Sequence, residues 1–280
     1  MISIILILLF VFSVLSVPVC HGVISGLYLY GMKIFPGLFI SFILTNILVR
    51  ILQQKNINNP WILVITGLMT GFPNGAYICS WYNKNNPENR LGDMLAGIIN
   101  IPSPAFLISY VYINILEKCI SLPMFLALTY TPVILCSYMA ILFFRDKDNK
   151  KDNAPHIKND KKLIFHFFEE AVDSSINTAL TLGAYVIIFS VIVNIIMHFS
   201  QSNTAGLLIS YLFEISNGLA IIKNAGIPMN ITVLLTVLLD AFGGVCIIMQ
   251  TKSICSSYIS IKKYIYQKLV LCIVCLLYTS

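Results

Sequence analysis

Two acidic residues stand inside long apolar runs, Glu214 in LFEISNG and Asp240 in LLDAFGG. A carboxylate at membrane depth is costly, so it serves pairing, ion or proton coupling, or the grip on a solute. Gln250, which ends GGVCIIMQ, adds an amide to the same region. Each acid sits beside a break in the apolar pattern: Asn217-Gly218 follows Glu214, and Gly243-Gly244 follows Asp240. Two further breaks interrupt the first half, TGFPNGAY (Thr70 to Tyr77) and NIPSP (Asn100 to Pro104). Proline removes a backbone donor, and glycine opens geometries closed to other residues. Unpaired backbone finds no water in lipid, so irregular chain belongs inside the protein or along a wet cavity. The solute-binding residues predicted on this basis are Gly71, Pro73, Asn74, Gly75, Asn100, Ser103, Ser216, Asn217, Gly218, Gly243 and Gly244. Glu214, Asp240 and Gln250 are the expected coupling or cavity-charge groups, and Asn177 is a further polar lining residue. A half-helix that starts after a break aims free amides at the cavity, which suits an anionic or polar group.

Other chemistries have no matching pattern. HExxH and GxSxG are absent, and His21, His156, His166 and His198 fall near helix ends, in the basic loop or on an amphipathic stretch. The eight cysteines are scattered; Cys272 and Cys275 have CxxC spacing but lie in an apolar segment, where cysteine packs as a small hydrophobe. An enzyme is not expected, and neither a metal nor a cofactor is called for.

The elements that must position these residues are membrane helices. Hydrophobic residues make up 58% of the chain and charged residues 11%, with mean hydropathy +0.84; soluble domains carry about a quarter charged residues. The apolar runs have bilayer-spanning length, about 17 to 25 residues, and none alternates as a barrel strand would. The predicted fold is an all-α polytopic membrane protein of eight or nine segments. These are 2–18, 36–53, 61–82, 92–117, 121–144, 179–199, 205–223, 229–250 and 262 onward, with 61–82, 92–117 and 205–223 interrupted. ISIILILLFVFSVLSV has no basic start and no small-residue cleavage site, so 1–20 is read as a retained transmembrane helix. The terminal CLLYTS, Cys275 to Ser280, resembles a translated sequencing adapter, and natural sequence is expected to continue past Val274.

Net charge is +6, with much of the positive charge in RDKDNKKDNAPHIKNDKK, 145–162. Interleaved aspartates and the lack of aromatics favour a cytoplasmic loop over a nucleic-acid tail. This loop divides the chain into 21–144 and 163–274. Each half opens on an amphipathic stretch. In the first it is Gly22 to Phe35. In the second it is Leu163 to Leu180, where Ile164, Phe167, Phe168, Ala171, Val172, Ile176 and Ala179 share one helical face. A single offset along the chain carries Asn74-Gly75 onto Asn217-Gly218 and IPSP onto GGVC, within a residue. If 61–82 and 205–223 are re-entrant hairpins from opposite faces, nearly all Lys and Arg fall on the side of the loop, with the N-terminus. Only Lys33, Lys118 and Lys223 lie opposite. Two inverted repeats with broken helices meeting at the midplane is a layout of secondary transporters.

IFPGLF (Ile34 to Phe39), TGFPNGA, LFEISNG and FGGVCIIMQ (Phe242 to Gln250), in that order, resemble the sporulation integral membrane protein YlbJ family, whose members carry the nucleoside-recognition or Gate domain. The resemblance covers roughly Ile34 to Lys268. It implies two Gate-like repeats, a cell membrane or forespore-surrounding membrane, and transport of a small anionic solute with dipicolinate the leading candidate. The expected partners are the lipid bilayer, that solute and a second copy of the chain, without nucleic acid. The competing reading is a non-transporting assembly protein of the spore envelope (cortex).

Overall fold

The computed structural model describes residues 2–279 apart from 4–5, 7–9, 11–12, 56–58, 88, 146–160, 201–203 and 256–257, and gives backbone alone for 37, 53–55, 144–145, 161–167 and 204–205. Most of 1–12 and of the basic loop thus lie outside the described residues, as do the side chains of Ile164, His166 and Phe167.

All regular structure among the described residues is helical. In chain order the elements are α1 (Ser16–Tyr28), a π-helical turn (Leu29–Ile34), α2 (Phe35–Lys55), α3 (Pro60–Thr70), α4 (Asn74–Asn85), α5 (Leu91–Ile99), α6 (Pro104–Phe106, continuing as a π-helix over Leu107–Ile115), α7 (Leu122–Arg145), α8 (Lys161–Ser200), α9 (Thr204–Phe213), α10 (Ile215–Asn224), α11 (Met229–Phe242), α12 (Gly244–Cys255) and α13 (Ile261–Thr279). Four helical stretches are long and apolar enough to cross a membrane: Leu91–Ile115, Leu122–Phe143, Phe168–Ser200 and Met229–Cys255. A bent pair, Ser16–Ile34 with Leu38–Leu52 at 59°, makes a fifth. The remaining apolar stretches predicted as spans are the short pairs α3–α4 and α9–α10 and the terminal helix α13.

The two amphipathic stretches are not separate surface helices. Gly22 to Phe35 runs through α1 and the π-turn into α2, and Leu163 to Leu180 is the first part of the 40-residue α8. These two arms pack against each other with opposite chain directions. A Cβ on Gly22 would press on Val191, one on Gly26 on Ile187, and one on Gly183 on the Tyr30 ring. Farther along, Phe42 clusters with Ala179 and Leu182, Asn46 donates to Ser175 Oγ at 3.0 Å, and Arg50 pairs with Glu170. The expected apolar stripe on α8 meets this contact only through Ala171 and Ala179. Phe168 is 48% exposed and Ile176 42%, whereas Ala171, Ser175, Ala179 and Leu182 are buried. Lipid is as apolar as a leucine side chain, so helices in it associate through small residues that let backbones approach. Asn177 is exposed and lines nothing.

The breaks have local causes. Asn59 caps α3 through Trp61 N at 3.0 Å with Pro60 in the first turn, the usual start signal. α3 stops at Gly71, whose φ of +72° and contact with the Ser103 backbone leave no room for a side chain. α11 stops at Gly243, left-handed at φ +83°, and α12 begins on the next residue. The main core lies where α5 meets α4 and α13, and where α13 meets α7 and α11.

Candidate functional site

The breaks are brought together in space. Phe72 N donates to Ile101 O at 2.9 Å, which joins the α3–α4 break to the α5–α6 break. Gly244 stands against the Leu212 and Phe213 carbonyls, which joins the α11–α12 break to the α9–α10 break. The two groups meet where the Tyr110 hydroxyl donates to Ser216 O at 3.2 Å.

Between them lies a cavity of about 240 Å³. Four predicted residues line it: Ser103, Glu214, Ser216 and Gln250. Apolar walls come from Phe72, Phe106, Leu182, Val186 and Ile247. Lys33 and Tyr30 reach it from the first arm, so the site is closed by elements outside the breaks. Gly71, Pro73, Asn74, Gly75, Asn100, Asn217, Gly218, Gly243, Gly244 and Asp240 are not among its lining residues.

Several of these residues are occupied in holding the breaks. Glu214 is the N-cap of α10, its Oε2 accepting from Asn217 N at 2.7 Å. Asn100 Oδ1 plays the same part for α4 from a neighbouring break, accepting from Ala76 N at 3.2 Å. Both bonds fall on the third residue of their helix. Asn74 and Asn217, matched by the Asn-Gly pattern, therefore occupy different helical positions, first and third. Ser103 Oγ caps α6 through Phe106 N at 3.3 Å. Three of the four half-helix amino ends are thus filled by the protein's own oxygens, and a solute anion does not find them free.

Asn100 also donates to the Tyr264 hydroxyl at 2.8 Å and to Thr251 Oγ1 at 3.3 Å. Its carbonyl accepts from Lys268 Nζ, which donates as well to Ala241 O at 3.0 Å. Lys268 is fully buried and ties the carboxyl ends of α5 and α11 together. A cation suits two helix carboxyl ends, where unpaired carbonyls concentrate negative potential. The sequence reading missed Lys268, although the signal was present: a lysine inside the apolar IYQKLVLCIV. Lys33 carried no such signal, because nothing local shows that its arm closes over the breaks.

Asp240 is fully buried, and neither of its carboxylate oxygens has a hydrogen-bond partner. Asn74 Nδ2 and Asn217 Nδ2 are likewise unpartnered. Among the described residues no group of three His, Cys, Asp or Glu is arranged to hold a metal. The arrangement as a whole can enclose a small solute and present charge to it. Comparison with family models, with curated proteins and with solved structures finds no match to this chain.

Proposed function

We propose that the protein is a multi-pass membrane transporter that moves a small solute bearing an anionic group by alternating access at its crossed broken helices. The observation that carries this reading is the cavity between breaks drawn from both halves of the chain, with the buried carboxyl of Glu214 in its wall. Buried irregular backbone around a polar cavity is the arrangement transporters use to hold a solute at mid-depth.

The order of elements supports an inverted repeat. Ser16–Lys55 and Lys161–Ser200 are long arms in corresponding places. Each is followed by a folded-back pair (α3–α4, α9–α10), a span with a break (α5–α6, α11–α12) and a closing helix (α7, α13). The antiparallel contact between the arms is what a two-fold axis in the membrane plane would produce. The charges support the re-entrant hairpin. Lys84 lies over the Tyr258 ring at 6.0 Å, and Asp93 gathers Arg90 at 3.6 Å and Lys263 at 3.4 Å, so these cations share one face. Lys223 sits elsewhere, with Asn114 and Glu117. In this topology the first face and the basic loop are cytoplasmic. The resemblance to the YlbJ family supplies the setting, a cell membrane or forespore-surrounding membrane during sporulation, and dipicolinate as the first solute to try.

Uptake of dipicolinate and of nucleosides into liposomes holding the purified protein tests the reading. Saturable flux that falls tenfold or more in Glu214→Gln and in Gln250→Ala is the expected result. Absence of flux of every solute tried, from folded protein, would sink transport and shift weight to spore-envelope assembly, where substitutions on outward helix faces should do the damage.

A further inference from the structure

Resting on the transport reading, we propose that the solute is a zwitterion: its anionic group meets Lys33, its amine meets Glu214, and an apolar body lies between. The cavity wall contains one acid and one cation, Glu214 and Lys33. Neither has an ion-pair partner among the described residues, although Arg50, Arg90, Lys223 and Lys263 all do. A dianion such as dipicolinate would need two cations and would instead face a fixed carboxylate. The amino ends that could have compensated are already occupied, by Glu214 itself on α10, by Asn100 on α4 and by Ser103 on α6.

The acid is built to stay in place. One oxygen accepts the cap bond from Asn217 N, and the positive end of α10 faces the carboxylate, which fixes its position. Beside it, Ser216 is buried, lines the same cavity and stands within hydrogen-bond reach of the Glu214 carboxylate. A serine hydroxyl both donates and accepts, so it can share an amine with the carboxylate. Gln250 Nε2 is engaged only with the Cys246 sulfur at 3.2 Å, a weak acceptor, and stays available to the solute. Lys33 approaches from the arm, on a different element from the acid, and it is exposed at the cavity's outer side. The two charges therefore hold opposite ends of a solute, with Phe72, Phe106 and Ile247 against its middle. The volume of about 240 Å³ is below the range of drug-sized sites, which begins at about 300 Å³, and fits a single amino-acid-sized molecule.

The test uses the full chain in liposomes with four probes of related shape and different charge. L-Phenylalanine carries both charges, 3-phenylpropionate lacks the amine, phenethylamine lacks the carboxylate, and dipicolinate carries two negative charges. Phenylalanine uptake should be saturable and at least tenfold faster than either truncated probe, since a charged hydrogen bond contributes roughly a factor of ten or more. Glu214→Gln should erase the preference over 3-phenylpropionate while keeping that over phenethylamine, and Lys33→Gln should do the reverse. This crossed pattern is one that a merely structural role for either residue would not produce. If dipicolinate or 3-phenylpropionate is carried as well as phenylalanine, the zwitterion inference falls and the transport reading stands. If none of the four moves through folded protein, both fall.

Discussion

Lys268 joins the two halves of the chain inside the core. Its ammonium is buried, and its two acceptors are carbonyls at the ends of helices from different halves of the chain. Replacing it with methionine keeps the length and apolar stem but leaves both carbonyls without a donor. An orphaned buried polar group costs about 1–3 kcal/mol, so Lys268→Met should lower stability by about 2–5 kcal/mol, partly offset by relief of the buried charge. Thermal unfolding in detergent, followed by tryptophan fluorescence, measures this against Lys262→Met, whose parent side chain is exposed and should be neutral. Equal melting of the two variants would show that Lys268 does not hold the helix ends. A weaker effect belongs to Glu117, exposed and paired with Lys223 at 2.8 Å. The Lys223 hydrogen bond and charge hold its carboxyl below the usual glutamate range. A lowered acid stabilises the fold above its unfolded value and loses that contribution as pH falls through the folded one. The difference in melting between wild type and Lys223→Gln should therefore be present at pH 7, fade below about pH 4, and shrink in high salt.

At the scale of elements, the arms show which part of the sequence was readable. The helical period over Leu163 to Leu180 holds, as the first part of α8. The face was assigned by a rule for water, in which large apolar residues turn inward. In lipid the driving force is close packing, so of the expected face Ala171 and Ala179 keep the contact, joined by Ser175, while Phe168 and Ile176 turn outward. The same logic makes Gly22 and Gly26 the seam of α1, four residues apart on one face. Gly22→Leu or Gly26→Leu would drive a side chain into the α8 backbone, and overpacking of this kind costs about 1–3 kcal/mol or more. Gly31, which has no neighbour within 4 Å, supplies the control. Limited proteolysis should find the arms loosened in the first two variants and unchanged in Gly31→Leu; cleavage at wild-type rates in all three would refute the seam. The breaks were legible because proline, glycine and asparagine have few uses in an apolar run. Which of their side chains face the cavity was not, because Asn100 and Glu214 turn to helix amino ends that only the folded chain brings near.

The whole molecule is described by which ends share a face, and the proposed hairpin rests on charge and on contacts. The positive-inside pattern places Lys84 and Arg90 with Arg50 and Lys55 only if 61–82 turns back on itself. In the fold, α3 and α4 pack against each other across Gly71 to Pro73, and the far end of α4 reaches Tyr258 and the cluster around Asp93. On the other side, Lys223 closes onto Asn114 and Glu117. The cavity was hidden from any reading of the breaks alone, because Lys33, Leu182 and Val186 come from arms far away in sequence. Single-cysteine variants at Lys55, Lys84, Lys118 and Lys223, in a background without the eight native cysteines, would be labelled in sealed vesicles with a membrane-impermeant maleimide. Lys55→Cys and Lys84→Cys should react from one side, and Lys118→Cys and Lys223→Cys from the other. Reaction of the first two from opposite sides would turn α3–α4 into a spanning segment. The two halves would then no longer be inverted copies, and alternating access by exchange of equivalent hairpins would lose its structural basis.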